Sequence, residues 1–228
     1  MTKKVDFDEY TENYNELLKE GTSFFSSSEE YFAKYKINIV HQQVDISVNS
    51  ILEYGCGIGR NIPYLQQVFP KAVIKGSDIS GASLEIARRD NSDVDFFLED
   101  ENVELNNSFD VIFVAGVFHH IPVVQRAEVA RTLFNRLSPG GMLFVFEHNP
   151  YNPVTRRIVN NCPYDEDAVL LNPSELKELL SKAAMIVENK AYCLFVPPSL
   201  SALSWMEGKL GWLPLGGQYW VQARRPVI

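Results

Sequence analysis

The sequence predicts an α/β domain, a mostly parallel sheet with helices on both faces, on three observations. Apolar runs of strand length alternate with segments of helical periodicity from residue 50 to residue 148. A glycine-rich turn, Gly55-Cys56-Gly57-Ile58-Gly59, separates the first such run from a helical stretch. An acid, Asp78, ends the second run. Alternation of this kind implies parallel strands, because the crossover helices must cover both faces of the sheet.

Residues 6–48 read as helical and precede the core. Tyr10, Tyr14, Leu17 and Leu18 recur near helical spacing, and Gly21 can end that segment. Ser26-Ser27-Ser28-Glu29-Glu30 reads as the cap of a second helix that contains Tyr31, Phe32, Tyr35, Ile39 and Val40. The core then runs strand 50–54, helix 59–69, strand 72–77, helix 81–90, strand 94–98, strand 109–115, helix 123–137 and strand 141–147. Asn172-Pro173-Ser174-Glu175 opens a further helix to about residue 184, with Pro at an early position where a missing N–H is tolerated. Strands at 186–194 and 218–224 complete seven. With no repeat, low-complexity tract or linker in view, one domain over 1–228 is expected. Within it, 6–48 would form a helical lid, 50–148 a cofactor-binding core and 149–228 a substrate-side segment.

The glycine turn carries the chemistry. Gly55, Gly57 and Gly59 leave little side-chain bulk, so the backbone can take positive φ and press against a ligand. A carboxylate at the tip of the neighbouring strand, Asp78, can accept from two vicinal ribose hydroxyls. The pair reads as a nucleoside-cofactor site. The dinucleotide fingerprint G-x-G-x-x-G/A does not fit, because Arg60 stands where its third small residue belongs. Glu53 lies two residues before the first glycine instead. Glu53, Gly55, Gly57 and Gly59 match (D/E)-x-G-x-G-x-G position for position, and here the sequence resembles the class I S-adenosylmethionine-dependent methyltransferases.

The resemblance covers residues 50–148 most closely and implies a Rossmann-like, seven-stranded sheet with an antiparallel final strand and an N-terminal helical extension. It implies S-adenosylmethionine as cofactor, S-adenosylhomocysteine as product, and a small-molecule or biosynthetic-intermediate acceptor. Asp78 would bind the ribose, with Cys56 and Ile79 as flanking contacts, and Glu53 would orient turn amides or reach the ligand's ammonium group. Asp100 would face the adenine amino group, with Glu99 or Glu101 as alternative counterparts. The carbonyl at Ala115, beside Gly116, would meet the methionyl amino group. Phe7-Asp8-Glu9-Tyr10-Thr11-Glu12-Asn13-Tyr14 resembles an F-D-x-x-A-x-x-Y element that covers the cofactor, with Thr11 in place of Ala and Tyr14 as the contact. The rival readings are an NAD(P)-dependent oxidoreductase and a non-catalytic binding protein of the methyltransferase fold.

Composition narrows the partners. Net charge is −8, from 21 Lys+Arg against 29 Asp+Glu, which argues against nucleic acid, whose binders carry a basic footprint. Cys56, Cys162 and Cys193 are odd in number and scattered, so no disulfide framework is expected. The N-terminal residues lack a signal peptide's apolar centre and no run approaches the ~20 residues that span a bilayer, so a cytoplasmic protein without a membrane span is expected. Oligomeric state is unspecified, although Trp205, Trp212 and Trp220 are candidates for an interface.

Phe118-His119-His120-Ile121-Pro122 follows the fourth strand, and His148 ends the fifth. These three histidines are the candidate general bases, since an unperturbed imidazole titrates near neutral pH. No metal site is expected: adjacent side chains usually diverge, and no Cys or carboxylate pattern of metal-site spacing accompanies them. Asp165-Glu166-Asp167 reads as a solvated turn or cap, Cys162 lacks an activating neighbourhood, and His41 reads as structural. Residues 148–171 and 197–217, rich in turn formers and aromatics, are expected to wall a substrate pocket together with the N-terminal helices.

Overall fold

The computed structural model describes residues 29–99, 105–106 and 108–227. Tyr14, Asp100, Glu101 and the first expected helical segment lie outside the described residues.

Helix α1 (Glu29–Gln43) is followed by β1 (Ser50–Tyr54), α2 (Ile62–Val68), β2 (Val73–Asp78), α3 (Gly81–Asp90), β3 (Asp95–Leu98) and β4 (Phe109–Ala115). A 3₁₀ turn (Phe118–His120) leads to α4 (Arg126–Arg136), β5 (Leu137–His148) and α5 (Pro153–Asn161). After a second 3₁₀ turn (Pro163–Asp165) come α6 (Pro173–Lys182), β6 (Ile186–Cys193), an irregular 3₁₀ segment (Pro198–Lys209) and β7 (Gln218–Arg224).

The seven strands form one sheet in the order β3-β2-β1-β4-β5-β7-β6. β1 pairs in parallel with both β2 and β4, whereas β7 runs antiparallel to β5 and to β6. Strand order therefore reverses at β1 and β4, and the crevice beyond their carboxyl ends is where open α/β sheets bind ligands.

Burial on both faces explains why the strands read as apolar runs rather than as alternating patterns. Ile51, Val111, Phe113, Phe144 and Phe146 join Ile37 and Val40 of α1 and Ile62 and Leu65 of α2 in one core layer. Leu52, Ile112, Val114, Leu143 and Val145 point the other way and meet Ala130 and Leu133 of α4 and Leu176 and Leu180 of α6. The central strands β1, β4 and β5 thus feed two cores in two-residue alternation.

Three boundaries differ from expectation for identifiable reasons. α2 begins at Ile62, because Gly59 takes φ +77 and Pro63 fits only the first turn. α4 begins at Arg126, leaving Val123 and Val124 exposed in the preceding turn. β5 begins already at Leu137, which pairs with Phe109 ahead of a register shift. α6 opens on the expected Asn172, a capping box whose side chain accepts from Ser174 and Glu175 N–H while Glu175 accepts from Asn172 N–H. Trp220 lies in the core on β7, only 7% exposed, so of the three tryptophans only Trp205 and Trp212 present themselves at the surface. Among the described residues no helix is long and apolar enough to cross a membrane.

Candidate functional site

The turn after β1 is built by hydrogen bonds to the end of β2. Gly55 and Cys56 N–H both donate to the Ser77 carbonyl, at 2.8 and 2.9 Å. Gly57 N–H donates to Asp78 Oδ2 at 2.7 Å, and Ser80 N–H donates to Asp78 Oδ1 at 2.9 Å. Asp78 does not cap α3; Ser80 does, accepting from Ser83 N–H. All three glycines take positive φ (+70, +52 and +77), a region in which L side chains are strained. A Cβ on Gly55 would strike Val117 and one on Gly59 would strike Asn91, whereas one on Gly57 would meet nothing within 4 Å. Gly57 therefore presents bare backbone to open space.

That space is a cleft of about 220 Å³ over the carboxyl ends of β1 and β4. Gly55, Cys56, Gly57, Asp78, Ile79 and Ala115 border it, with Gly116, Glu99 and His120. Glu53 and Gly59 sit behind it. Glu53 does not orient the turn amides; its Oε1 accepts from Asn61 Nδ2 at 2.5 Å, and its Oε2 has no hydrogen-bond partner among the described residues. Burial pushes the Glu53 carboxyl up to about 8, against the pull of Asn61 and Lys36. Burial likewise raises Asp78, opposed by the Ser80 and Gly57 amides, and raises the Cys56 thiol, which is no nucleophile.

Glu99 closes one side of the cleft through a bidentate pair with Arg136, at 2.6 and 2.9 Å. The Arg136 guanidinium also lies over the rings of Tyr54 and Phe97 and is 3% exposed. Sequence reading passed over this arginine, because its partner stands 37 residues away on another strand end.

The histidines form a cluster. His119 and His120, expected to diverge, have ring centroids 4.1 Å apart on the 3₁₀ turn, both drawn toward Asp165; His148 lies 4.9 Å from His119. Glu147 organises them. Its Oε1 accepts from the amides of Val117 and Phe118, at 3.0 and 2.7 Å, while Oε2 meets His119 Nδ1 at 2.6 Å. Glu147 is fully buried and was missed, although an acid directly after the apolar run Met142–Phe146 and beside His148 was a visible signal. Asp165 is not a solvated turn residue: its side chain is 10% exposed and faces His119 Nε2 at 3.6 Å and His120 Nε2 at 3.3 Å.

Charge settles unevenly in this cluster. Burial pulls His119 down, but Glu147 and Asp165 outweigh it and raise the imidazole to about 9. Burial, reinforced by His119, takes both His120 and His148 down to about 4. Glu147 is held below the usual carboxylate range by His119 despite its burial. The near-neutral titration expected of an unperturbed imidazole therefore holds for none of the three.

A second cavity of about 310 Å³ opens beside His148. Phe32 of α1, Val154, Thr155 and Ile158 of α5, and Leu194, Phe195 and Leu215 line it. The two irregular segments and the N-terminal helix thus converge where a substrate pocket was expected. The imidazoles stand between this cavity and the cleft, with His120 on the cleft and His148 on the cavity. Lys36, partly buried on α1, lies in the field of Glu53 and Glu147, and burial lowers its ammonium pKa.

Comparison with known proteins agrees with this geometry. A methyltransferase-domain family model matches residues 10–205. A malonyl-[acyl-carrier protein] O-methyltransferase of Bacillus anthracis is 30% identical over 138 residues, 56% of this chain and 51% of that protein. A trans-aconitate 2-methyltransferase of Deinococcus radiodurans is 23% identical over 176 residues, 69% of this chain and 67% of that protein. The chain thus spans about half the length of the first relative and two thirds of the second. The solved structure of an S-adenosylmethionine-dependent methyltransferase from Archaeoglobus fulgidus superposes with a TM-score of 0.67 at 13% identity, covering 89% of this chain and 97% of that one, a likeness of fold. With the family model spanning most of its length and this sheet order beneath the glycine turn, the chain belongs to the methyltransferase-domain family, the class I S-adenosylmethionine-dependent methyltransferases.

Proposed function

We propose that this chain binds S-adenosylmethionine in the glycine-turn cleft and transfers its methyl group to a small-molecule acceptor held in the adjoining apolar cavity. The observation that carries the reading is Gly57, whose backbone faces open space while its N–H is bonded to Asp78. A nucleoside ligand can approach that backbone closely only where no Cβ stands.

The cofactor, when bound, supplies a sulfonium-activated methyl carbon. The chain's own residues then bind and orient. Asp78 keeps a lone pair beyond its bonds from the Gly57, Ile79 and Ser80 amides with which to accept from a ribose hydroxyl. Ile79, 54% exposed beside it, offers an apolar wall to the base. The Ala115 carbonyl and the spare Glu53 oxygen are the acceptors assigned to the ammonium group, and Cys56 packs under the turn. Tyr14 is assigned to cover the cofactor, and Asp100 or Glu101 to face adenine. Holding an acceptor in line with the methyl carbon lowers such a barrier by up to ~7–11 kcal/mol, so positioning carries the catalysis. The weakly basic His120 and His148 line the path, and His119 is held by Glu147. The relatives' acceptors, malonyl-[acyl-carrier protein] and trans-aconitate, support a small or carrier-borne acceptor here.

Calorimetric titration with S-adenosylmethionine tests the placement. Gly57→Val and Asp78→Ala are expected to abolish measurable binding, and unchanged affinity in both would move the cofactor elsewhere. Binding of a nicotinamide dinucleotide in its place would favour the oxidoreductase. Cofactor binding without labelled methyl transfer across a metabolite screen would mark a binding protein.

A further inference from the structure

We propose that His119, His120 and Asp165 form a divalent transition-metal site between the cofactor cleft and the apolar cavity. Their ligand atoms all lie within 4.8 Å of one another. Both Nε2 atoms face one carboxylate oxygen, Asp165 Oδ1, at 3.6 and 3.3 Å.

The distances to Asp165 leave more room than a closed ion pair does. A charge-assisted N–H···O⁻ hydrogen bond closes to about 2.7–2.9 Å, and His119 Nδ1 does so with Glu147 at 2.6 Å. The two contacts on Asp165 stop well short of that. Zinc bonds of about 2.0–2.1 Å in a tetrahedron set ligand atoms roughly 3.3–3.4 Å apart, a spacing that His120 keeps from Asp165 at 3.3 Å and His119 exceeds slightly at 3.6 Å. The remaining edge, between the two imidazoles, lies inside the same 4.8 Å limit, so a side-chain adjustment of an ångström or so completes the face.

The surroundings have the character of a metal site's outer shell. A metal-ligating histidine usually gives its other ring N–H to a carboxylate, which fixes the tautomer and aims the free lone pair at the ion. Here His119 has such a partner on Nδ1, Glu147 at 2.6 Å, while Asp167 stands 3.7 Å from His120 Nδ1, near it in charge but beyond hydrogen-bond distance. Glu147, Asp165 and Asp167 converge on a buried spot where the His119 imidazolium answers part of their charge and a divalent cation would answer more. The side chains of His119, His120 and Asp165 are only 2%, 10% and 10% exposed, so this is no solvated acidic patch.

Two imidazoles and one carboxylate leave a fourth position open, as in catalytic rather than structural zinc sites. His120 borders the cofactor cleft, so an acceptor oxygen, a hydroxyl or a carboxylate, that reached from the neighbouring cavity into the cleft would be the fourth ligand. Coordination there would lower the pKa of a hydroxyl and orient it. This consequence rests on the methyl-transfer reading; metal binding does not.

The test uses the full chain stripped with a chelator and titrated calorimetrically with Zn²⁺ in the absence of cofactor, with Co²⁺ as a spectroscopic substitute. One equivalent of Zn²⁺ per chain is expected, with the intense visible bands of low-coordinate Co²⁺. Asp165→Asn and His120→Gln should each weaken binding at least tenfold, and Glu147→Gln, at the outer-shell partner of His119, by about 10–100-fold. The Co²⁺ bands distinguish ligation from a structural role, because loss of packing alone cannot generate them in the wild type. Absence of stoichiometric binding by the wild type overturns the proposal. So does equal affinity in the wild type and both ligand variants, or the weak spectrum of six-coordinate aqueous Co²⁺. A folding defect in one ligand variant leaves the other, and the wild-type spectrum, to decide.

Discussion

In the cofactor-free chain, replacing Glu53 by Gln removes one buried titration while keeping the side chain's size and shape. The side chain is 2% exposed, and an amide oxygen can still accept from Asn61 Nδ2 as the carboxyl oxygen does at 2.5 Å. In the folded chain burial lifts this carboxyl to about 8, against a reference value of 4.5 that serves for the unfolded chain. Below pH 4.5 both states hold the proton, and the stabilising contribution is fully present. From there to about 8 the unfolded chain is ionised while the folded chain keeps its proton, so unfolding releases one proton. Stability then falls as pH rises, by about 1.4 kcal/mol per pH unit. The total is on the order of 4–5 kcal/mol once both states are ionised, a large share of the ~5–15 kcal/mol that separates folded from unfolded domains. Urea denaturation of wild type and Glu53→Gln across this range measures it. The wild-type advantage over the variant should shrink steadily between pH 5 and 8, roughly, and level off above. Parallel stability curves would refute the reasoning, because a carboxyl that ionises normally in the folded chain gives no such slope.

The other predictions concern packing and the pair beside the cleft. Arg136→Met should cost about 3 kcal/mol, since it strands the Glu99 carboxylate at 11% exposure, and a second change, Glu99→Gln, should recover most of the loss in a double-mutant cycle by chemical denaturation. Gly76→Val should destabilise by about 1–3 kcal/mol or more, because a Cβ there stands 2.5 Å from the Phe96 ring. Gly81→Ala, at a helical position where a Cβ meets nothing within 4 Å, should instead stabilise by about 0.4–1 kcal/mol. Paired thermal melts of these two glycine variants give opposite signs if the packing is as described.

The cofactor half of the site was legible because it is local. Gly55, Gly57, Gly59 and Asp78 lie within 24 consecutive residues of one β-α-β unit, and the unit's geometry brings the acid to the turn. Glu53 shows the limit of that reading, since its position was evident but its partner, Asn61, depended on where the helix began. The helix could not begin at Gly59, given its left-handed backbone. Asp165 was misread because its sequence neighbours, Glu166 and a run of polar turn formers, describe a surface. Only the return of this segment over the carboxyl end of the sheet turns it inward onto His119 and His120.

The order of apolar runs and helical segments by itself determined the parallel sheet, because burying both faces of each strand leaves few other arrangements. It also determined the cofactor turn, whose demands fall on backbone conformation and so on glycine. The tertiary structure alone decided the Glu147–His119–Asp165 cluster, the Glu99–Arg136 pair and the apolar cavity of α1, α5 and the segment before β7. Their members stand tens of residues apart, and their chemistry comes from what burial sets side by side: charges in a low-dielectric interior answer to their spatial neighbours, which the strand order β3-β2-β1-β4-β5-β7-β6 assigns.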